Sequence, residues 1–84
     1  MKELVEYIVK SLVTKPDEVS VEVVPEGRRT VVRLYVAPSD MGKVIGKGGK
    51  VAQAIRNLLK VASTYEGSQA VLVIAPITEI DTDV

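Results

Sequence analysis

The residues whose types and spacing could do chemistry lie in one short run, Val44-Ile45-Gly46-Lys47-Gly48-Gly49-Lys50-Val51. Its three glycines put no Cβ in the way of a close backbone approach, and Lys43, Lys47 and Lys50 gather around them. A glycine turn that opens a helix offers an anion two things: backbone N–H groups without partners, and the positive end of the helix dipole. The anion implied is a phosphate.

Spacing decides what kind of phosphate. A nucleotide-hydrolysing loop needs four residues between its glycines and then Lys followed by Ser or Thr. Gly42 to Gly46 leaves only three, and Gly48 stands where the Mg²⁺-binding hydroxyl belongs. A dinucleotide fingerprint needs a third glycine where Val51 stands, and a strand before the turn. Both are excluded. What remains is a turn between two helices whose lysines meet a phosphate chain. The other reading is an ordinary helix–helix corner with glycine supplying positive φ; it leaves the clustering of three lysines unexplained.

Charge is distributed to match. The net charge is zero, but residues 28–60 carry eight Lys and Arg against the single acid Asp40, a local +7. Residues 1–27 carry three Lys and six acids, and residues 61–84 carry four acids and no base. An anionic polymer responds to the local patch within a Debye length of about 8–10 Å, so overall neutrality does not exclude it as a partner. With neither Cys nor His, the chain lacks the usual zinc ligands, thiol nucleophiles and imidazole bases. No enzyme, metal or cofactor is expected. No apolar run is long enough to cross a membrane as a helix, and the acid-bearing start does not read as a signal peptide.

The elements that must position the turn follow from hydrophobic period. Leu4, Val5, Ile8, Val9, Leu12 and Val13 make one face of a helix over 2–13, stopped by Pro16. Val19, Val21 and Val23 alternate in a strand at about 18–24, and Val32, Leu34 and Val36 in another at about 30–36. Residues 25–29, with Pro25 and Gly27, form the turn of an antiparallel hairpin between them. Ser39 is the expected cap of a short helix ending at Gly46. A longer helix from Gly49 or Lys50 to about Thr64 has Val51, Ile55, Leu58, Leu59 and Ala62 on its apolar face. Lys50, Gln53, Arg56, Asn57 and Lys60 fall opposite. Gln69 to Ala75 reads as a third strand, apolar on both faces, so an uncovered face would suit a partner or, equally, be covered by the tail alone. Residues 1–76 then form one domain, and 77–84 an acidic, flexible tail.

The run V-I-G-x-x-G followed by Val51-Ala52, set between two helices in the order α-β-β-α-α-β, resembles the KH signature in its type II arrangement. The resemblance spans residues 2–75 and is closest to bacterial proteins made of one KH domain, the KhpA family. The family signature places its apolar residue at Ala52, where this chain has Val51 and Ala52 side by side. The resemblance implies an α+β fold, a three-stranded mixed sheet with helices on one face. It implies that the loop Gly46-Lys47-Gly48-Gly49 clamps about four nucleotides of single-stranded RNA. Lys43, Lys47 and Lys50 would neutralise phosphates, and Arg56 and Lys60 would extend their track. Met41, Val44, Ile45 and Val51 would supply apolar contacts in a groove between the helix pair and a sheet edge, with Val44 and Val51 alternatively in the core. Arg28, Arg29 and Arg33 are not assigned to RNA. Tyr7, Tyr35 and Tyr65 are too few for a stacking platform of the RRM or OB type.

A cytoplasmic RNA regulator or RNA chaperone follows by resemblance, acting as a homodimer or with a larger KH-containing partner. The alternative is a dimerisation or protein-interaction module on the same scaffold, with RNA binding secondary.

Overall fold

A computed structural model describes residues 2–66 and 69–77, and of the side chains of 64–66 nothing is stated. The elements run α1 (Lys2–Lys10), β1 (Ser20–Glu26), β2 (Arg29–Val36), α2 (Met41–Ile45), α3 (Lys50–Glu66) and β3 (Gln69–Pro76). Short 3-10 turns at Pro16–Glu18, Pro38–Asp40 and Lys47–Gly49 precede β1, α2 and α3. The fold class is the α+β expected, a three-stranded sheet in order β1-β2-β3.

β1 and β2 pair antiparallel, with Val21 opposite Leu34 and Glu22 opposite Arg33. β2 and β3 pair parallel, with Val32 opposite Leu72 and Leu34 opposite Ile74. Period two therefore puts Val32, Leu34 and Val36 under the helices together with Val21 and Leu72. Val5 and Val9 of α1, Val44 of α2, and Ile55 and Leu59 of α3 close the core from above. The other sheet face has no helix, and there Val71 and Val73 remain 37% and 42% exposed.

Several boundaries differ from the sequence reading, each for a local reason. α1 ends at Lys10, and Leu4 and Leu12 are exposed because only the Val5–Val9 line meets the sheet. β1 begins at Ser20 and continues through Pro25 and Glu26, so the turn shrinks to Gly27-Arg28, with Gly27 at φ 63°. Pro25 is tolerated because β1 is an edge strand and loses no ladder bond on its open side. α3 runs to Glu66, beyond the expected Thr64. Its buried line is Ala52, Ile55, Leu59 and Ser63 rather than one including Leu58, which is 47% exposed. A 17-residue helix lying on a narrow sheet buries one line, and Leu58 lies a full 100° round from Leu59. The buried Ser63 hydroxyl donates to the Lys60 carbonyl at 3.1 Å, so it costs the core little. Of the expected acidic tail, residues 78–84 lie outside the described residues; Ile77 still donates its N–H to the Val36 carbonyl at 2.8 Å.

Candidate nucleic-acid interface

The glycine turn is built by three bonds and three unusual backbones. α2 closes with the Gly46 N–H on the Gly42 carbonyl at 2.9 Å. Gly46 then takes φ 79°, ψ 171°, a region only glycine enters without strain. Gly48 and Gly49 follow at φ 63° and 79°. The Gly49 N–H donates to the Gly46 carbonyl at 3.1 Å and the Lys50 N–H to the Lys47 carbonyl, which starts α3. Among the hydrogen bonds of the described residues, none is donated by the amides of Lys47 or Gly48. Successive amides left open at a glycine turn form a concave anion seat, and the first turn of the 17-residue α3 adds its dipole.

The glycines are not equivalent. A Cβ at Gly46 would lie 2.8 Å from the Val51 backbone nitrogen and against its side chain. Gly46 is thus demanded by packing as well as by φ. At Gly48 and Gly49 a Cβ would meet nothing within 4 Å. Their side is open space, which is what an approaching chain needs.

Lys43, Lys47 and Lys50 are exposed around this turn. Among the described residues, Lys47 and Lys50 form no salt bridge. Asp40, the one acid in the basic stretch, faces inward and lies within electrostatic reach of Lys43. Its side chain is fully buried and accepts hydrogen bonds from the Thr14 N–H at 3.0 Å, the Thr14 hydroxyl at 2.8 Å and the Lys15 N–H at 3.1 Å. The Thr14 amide bond chiefly holds this carboxyl below the usual range. The Thr14 hydroxyl, the Lys15 amide and the nearby Lys43 charge add to it, against the opposing effect of burial. Asp40, rather than Ser39, is the residue before α2, and it makes no capping bond: its oxygens are committed to the α1–β1 connection. It ties that connection to the root of the α2–turn–α3 unit.

A groove of about 290 Å³ lies between α3 and β3, lined by Gln53, Arg56, Asn57, Lys60, Ala70, Val71 and Leu72. Gln53, Arg56, Asn57 and Lys60 recur at helical spacing, which places four polar side chains on one wall. The Gln53 amide donates to Asn57 at 3.2 Å. The other wall is a sheet edge. Gln69 and Ile77 donate their amides to β2, and alternate residues of a parallel ladder turn both polar groups the same way. Ala70, Leu72 and Ile74 therefore turn their N–H and C=O outward from the sheet, two of them within the groove lining.

The sequence-selected residues separate accordingly. Gly46, Lys47, Gly48, Gly49 and Lys50 form the turn, Lys43 flanks it, and Arg56 and Lys60 line the groove. Ile45 beside the turn is 37% exposed and Met41 is half-buried. Val44 is corrected: it is fully buried in the core and cannot touch a ligand. Val51 is half-buried, packed on the core and against Gly46. Ala52, at the signature's apolar position, is buried. Gln53 and Asn57 line the groove without having been singled out as site residues, although the i, i+3, i+4, i+7 polar pattern pointed to them; the sheet edge that the resemblance implied is that of β3. The arginines 29 and 33 pair with Glu26 and Glu22, so part of the counted +7 belongs to the hairpin and not to the turn.

The family model "KhpA/KhpB, KH domain" matches residues 2–74. Two relatives, each called "RNA-binding protein KhpA", come from Clostridium acetobutylicum and Clostridium perfringens. Each is 50% identical over 72 residues, covering 86% of this chain and 96% of the relative. A relative of the same name from Borreliella burgdorferi is 53% identical over 57 residues, 68% of this chain and 70% of its own length.

Proposed function

The chain belongs to the KhpA/KhpB KH-domain family, and on that footing we propose that it binds short single-stranded RNA without catalysis. One KH domain over residues 1–76 does so. Phosphates sit on the open amides of Lys47 and Gly48, with the Lys43, Lys47 and Lys50 ammonium groups around them. Bases lie along the groove between α3 and β3. There Gln53 and Asn57, together with the outward backbone groups of Ala70 and Leu72, provide donors and acceptors for base edges. Arg56 and Lys60 continue the positive wall. The observation that carries this reading is the glycine turn itself, two open amides ringed by exposed lysines at the head of the helix whose polar face lines the groove. The role follows as a cytoplasmic post-transcriptional regulator or RNA chaperone, since a four-nucleotide groove with few base-reading groups favours loose sequence preference.

Titration of a fluorescein-labelled eight-nucleotide RNA at rising salt tests it. Three phosphate contacts give a log–log slope of about −2. A slope near zero would remove the phosphate clamp.

A second reading adds self-association or pairing with a larger KH-containing protein. The exposed apolar side chains Leu58 and Val61 on α3, with Val71 and Val73 on the helix-free sheet face, favour it. Pairing would raise RNA affinity by effective concentration. Sedimentation of the protein with and without Val61→Asp reads this directly; an unchanged monomer in both would dismiss self-association by α3.

A further inference from the structure

A single buried carboxylate draws the α1–β1 connection to the root of α2. One Asp40 oxygen, Oδ1, accepts from the Thr14 N–H and the Thr14 hydroxyl, and the other, Oδ2, accepts from the Lys15 N–H. These bonds join residues 25 or 26 apart in the chain. A carboxylate is buried only where such donors offset its desolvation, so the connection is held firmly in place. Lys15 makes its bond through the backbone, which leaves its ammonium group over. That side chain is exposed and, among the described residues, forms no salt bridge.

Lys43, in α2, lies close enough to the same carboxylate for its charge to act on it. Two exposed cations thus stand against one buried anion, and the surface at the root of α2 is positive. The rise of α2 from Asp40 to Gly46 is about 9 Å, so a nucleic-acid chain leaving the turn along α2 meets Lys43 and then Lys15. Beyond Lys15 the turn Pro16–Glu18 exposes Asp17 and Glu18, and the positive path ends there. In the sequence Lys15 belongs to the acidic first third of the chain; only the bonds to Asp40 bring it to the basic one.

We infer that Lys15 binds an RNA phosphate at the end of α2 opposite the glycine turn, and that Asp40 is the positioning residue that presents it. The site for about four nucleotides is thereby extended along α2, and strands that reach past the turn are favoured over strands that only fill it. The inference rests on the reading of the turn as a phosphate site.

The test uses Lys15→Ala, which keeps the backbone N–H on Asp40 and so keeps the fold, and Lys15→Arg, which keeps the charge. With the eight-nucleotide RNA at low salt, Lys15→Ala should bind about fivefold more weakly, with a log–log salt slope shallower by about 0.7. Lys15→Arg should restore both. With a four-nucleotide RNA, Lys15→Ala should bind as the unaltered chain does. In an Asp40→Asn background, at a temperature where that variant is folded, adding Lys15→Ala should cost less than about twofold, because the lysine is no longer held in place. An unchanged slope, an equal loss on both strands, or the full Lys15 effect without Asp40 would overturn the inference. Normal binding by Lys15→Ala, with binding abolished by Lys47→Asp and Gly48→Asp together, would overturn it and leave the reading of the turn standing. No binding of RNA by the unaltered chain would overturn both.

Discussion

At the hairpin end of the sheet, Arg29 lies 3.5 Å from Glu26 and Arg33 lies 3.5 Å from Glu22. At the glycine-turn end, Lys47 and Lys50 meet no carboxylate among the described residues, and Asp40 is turned inward to Thr14 and Lys15. Both regions are basic in sequence. They differ because the antiparallel register sets each arginine directly opposite a glutamate, whereas a turn between helices has no partner strand. The ends stand roughly 25 Å apart, the length of α3, well beyond a Debye length in physiological salt. Cations count toward a phosphate chain where the fold leaves them uncompensated and beside open amides. Counting them along the sequence overstates the patch.

Gly46→Ala attacks the turn end most severely. It adds a Cβ against Val51 at a glycine-only backbone, for an expected loss of about 3 kcal/mol in urea unfolding. Gly48→Ala, with open space and only a left-handed φ to satisfy, costs about 1 kcal/mol. Equal losses would erase the distinction between a packing glycine and an approach glycine.

Lys47→Asp with Gly48→Asp reverses charge where side chains have room, and Asp accepts left-handed backbone better than most residues. RNA affinity should fall on the order of 100-fold, about 2.8 kcal/mol, with an unchanged circular dichroism spectrum. Normal binding by the folded variant would make the turn structural.

Asp40→Asn separates tether from screen. The folded carboxyl titrates below its unfolded value, so its stabilisation is complete above about pH 4 and is lost as the pH falls below that. The wild-type melting temperature should drop in that window. The variant should melt lower at neutral pH and respond less to acid. If the variant instead keeps its melting temperature and binds RNA more tightly, Asp40 acts as a screen for the lysines.

Arg29→Ala and Arg33→Ala should do least, each changing stability and RNA affinity by about 0.5 kcal/mol or less, since both pairs are solvent-exposed. A loss as large as that of the turn variant would place RNA at the hairpin too.

Much of this was legible one segment at a time. Val32, Leu34 and Val36 alternate as a half-buried strand must, and Gly46 ends α2 for a local steric reason, whereas α1 stops at Lys10, well before Pro16. The glycine turn was legible from its spacing taken together with the preceding Val44-Ile45, the lysines around it and the helices on either side. Leu58 was misplaced because helical period gives a face but not the width of sheet available to cover it. Val44 was ambiguous for the same reason: apolar residues beside a site and beneath it look alike until the layer above the sheet is assembled.

The sequence by itself determined the element order, the chemistry of the turn and the segregation of charge, because each depends on residues within a turn or two of one another. Tertiary structure decided which cations stay uncompensated, where Asp40 spends its oxygens, 26 residues away on Thr14, and that the edge of β3 forms the far wall of the groove beside Arg56 and Lys60. Those outcomes depend on register and packing between segments distant in the chain, and no local spacing encodes them.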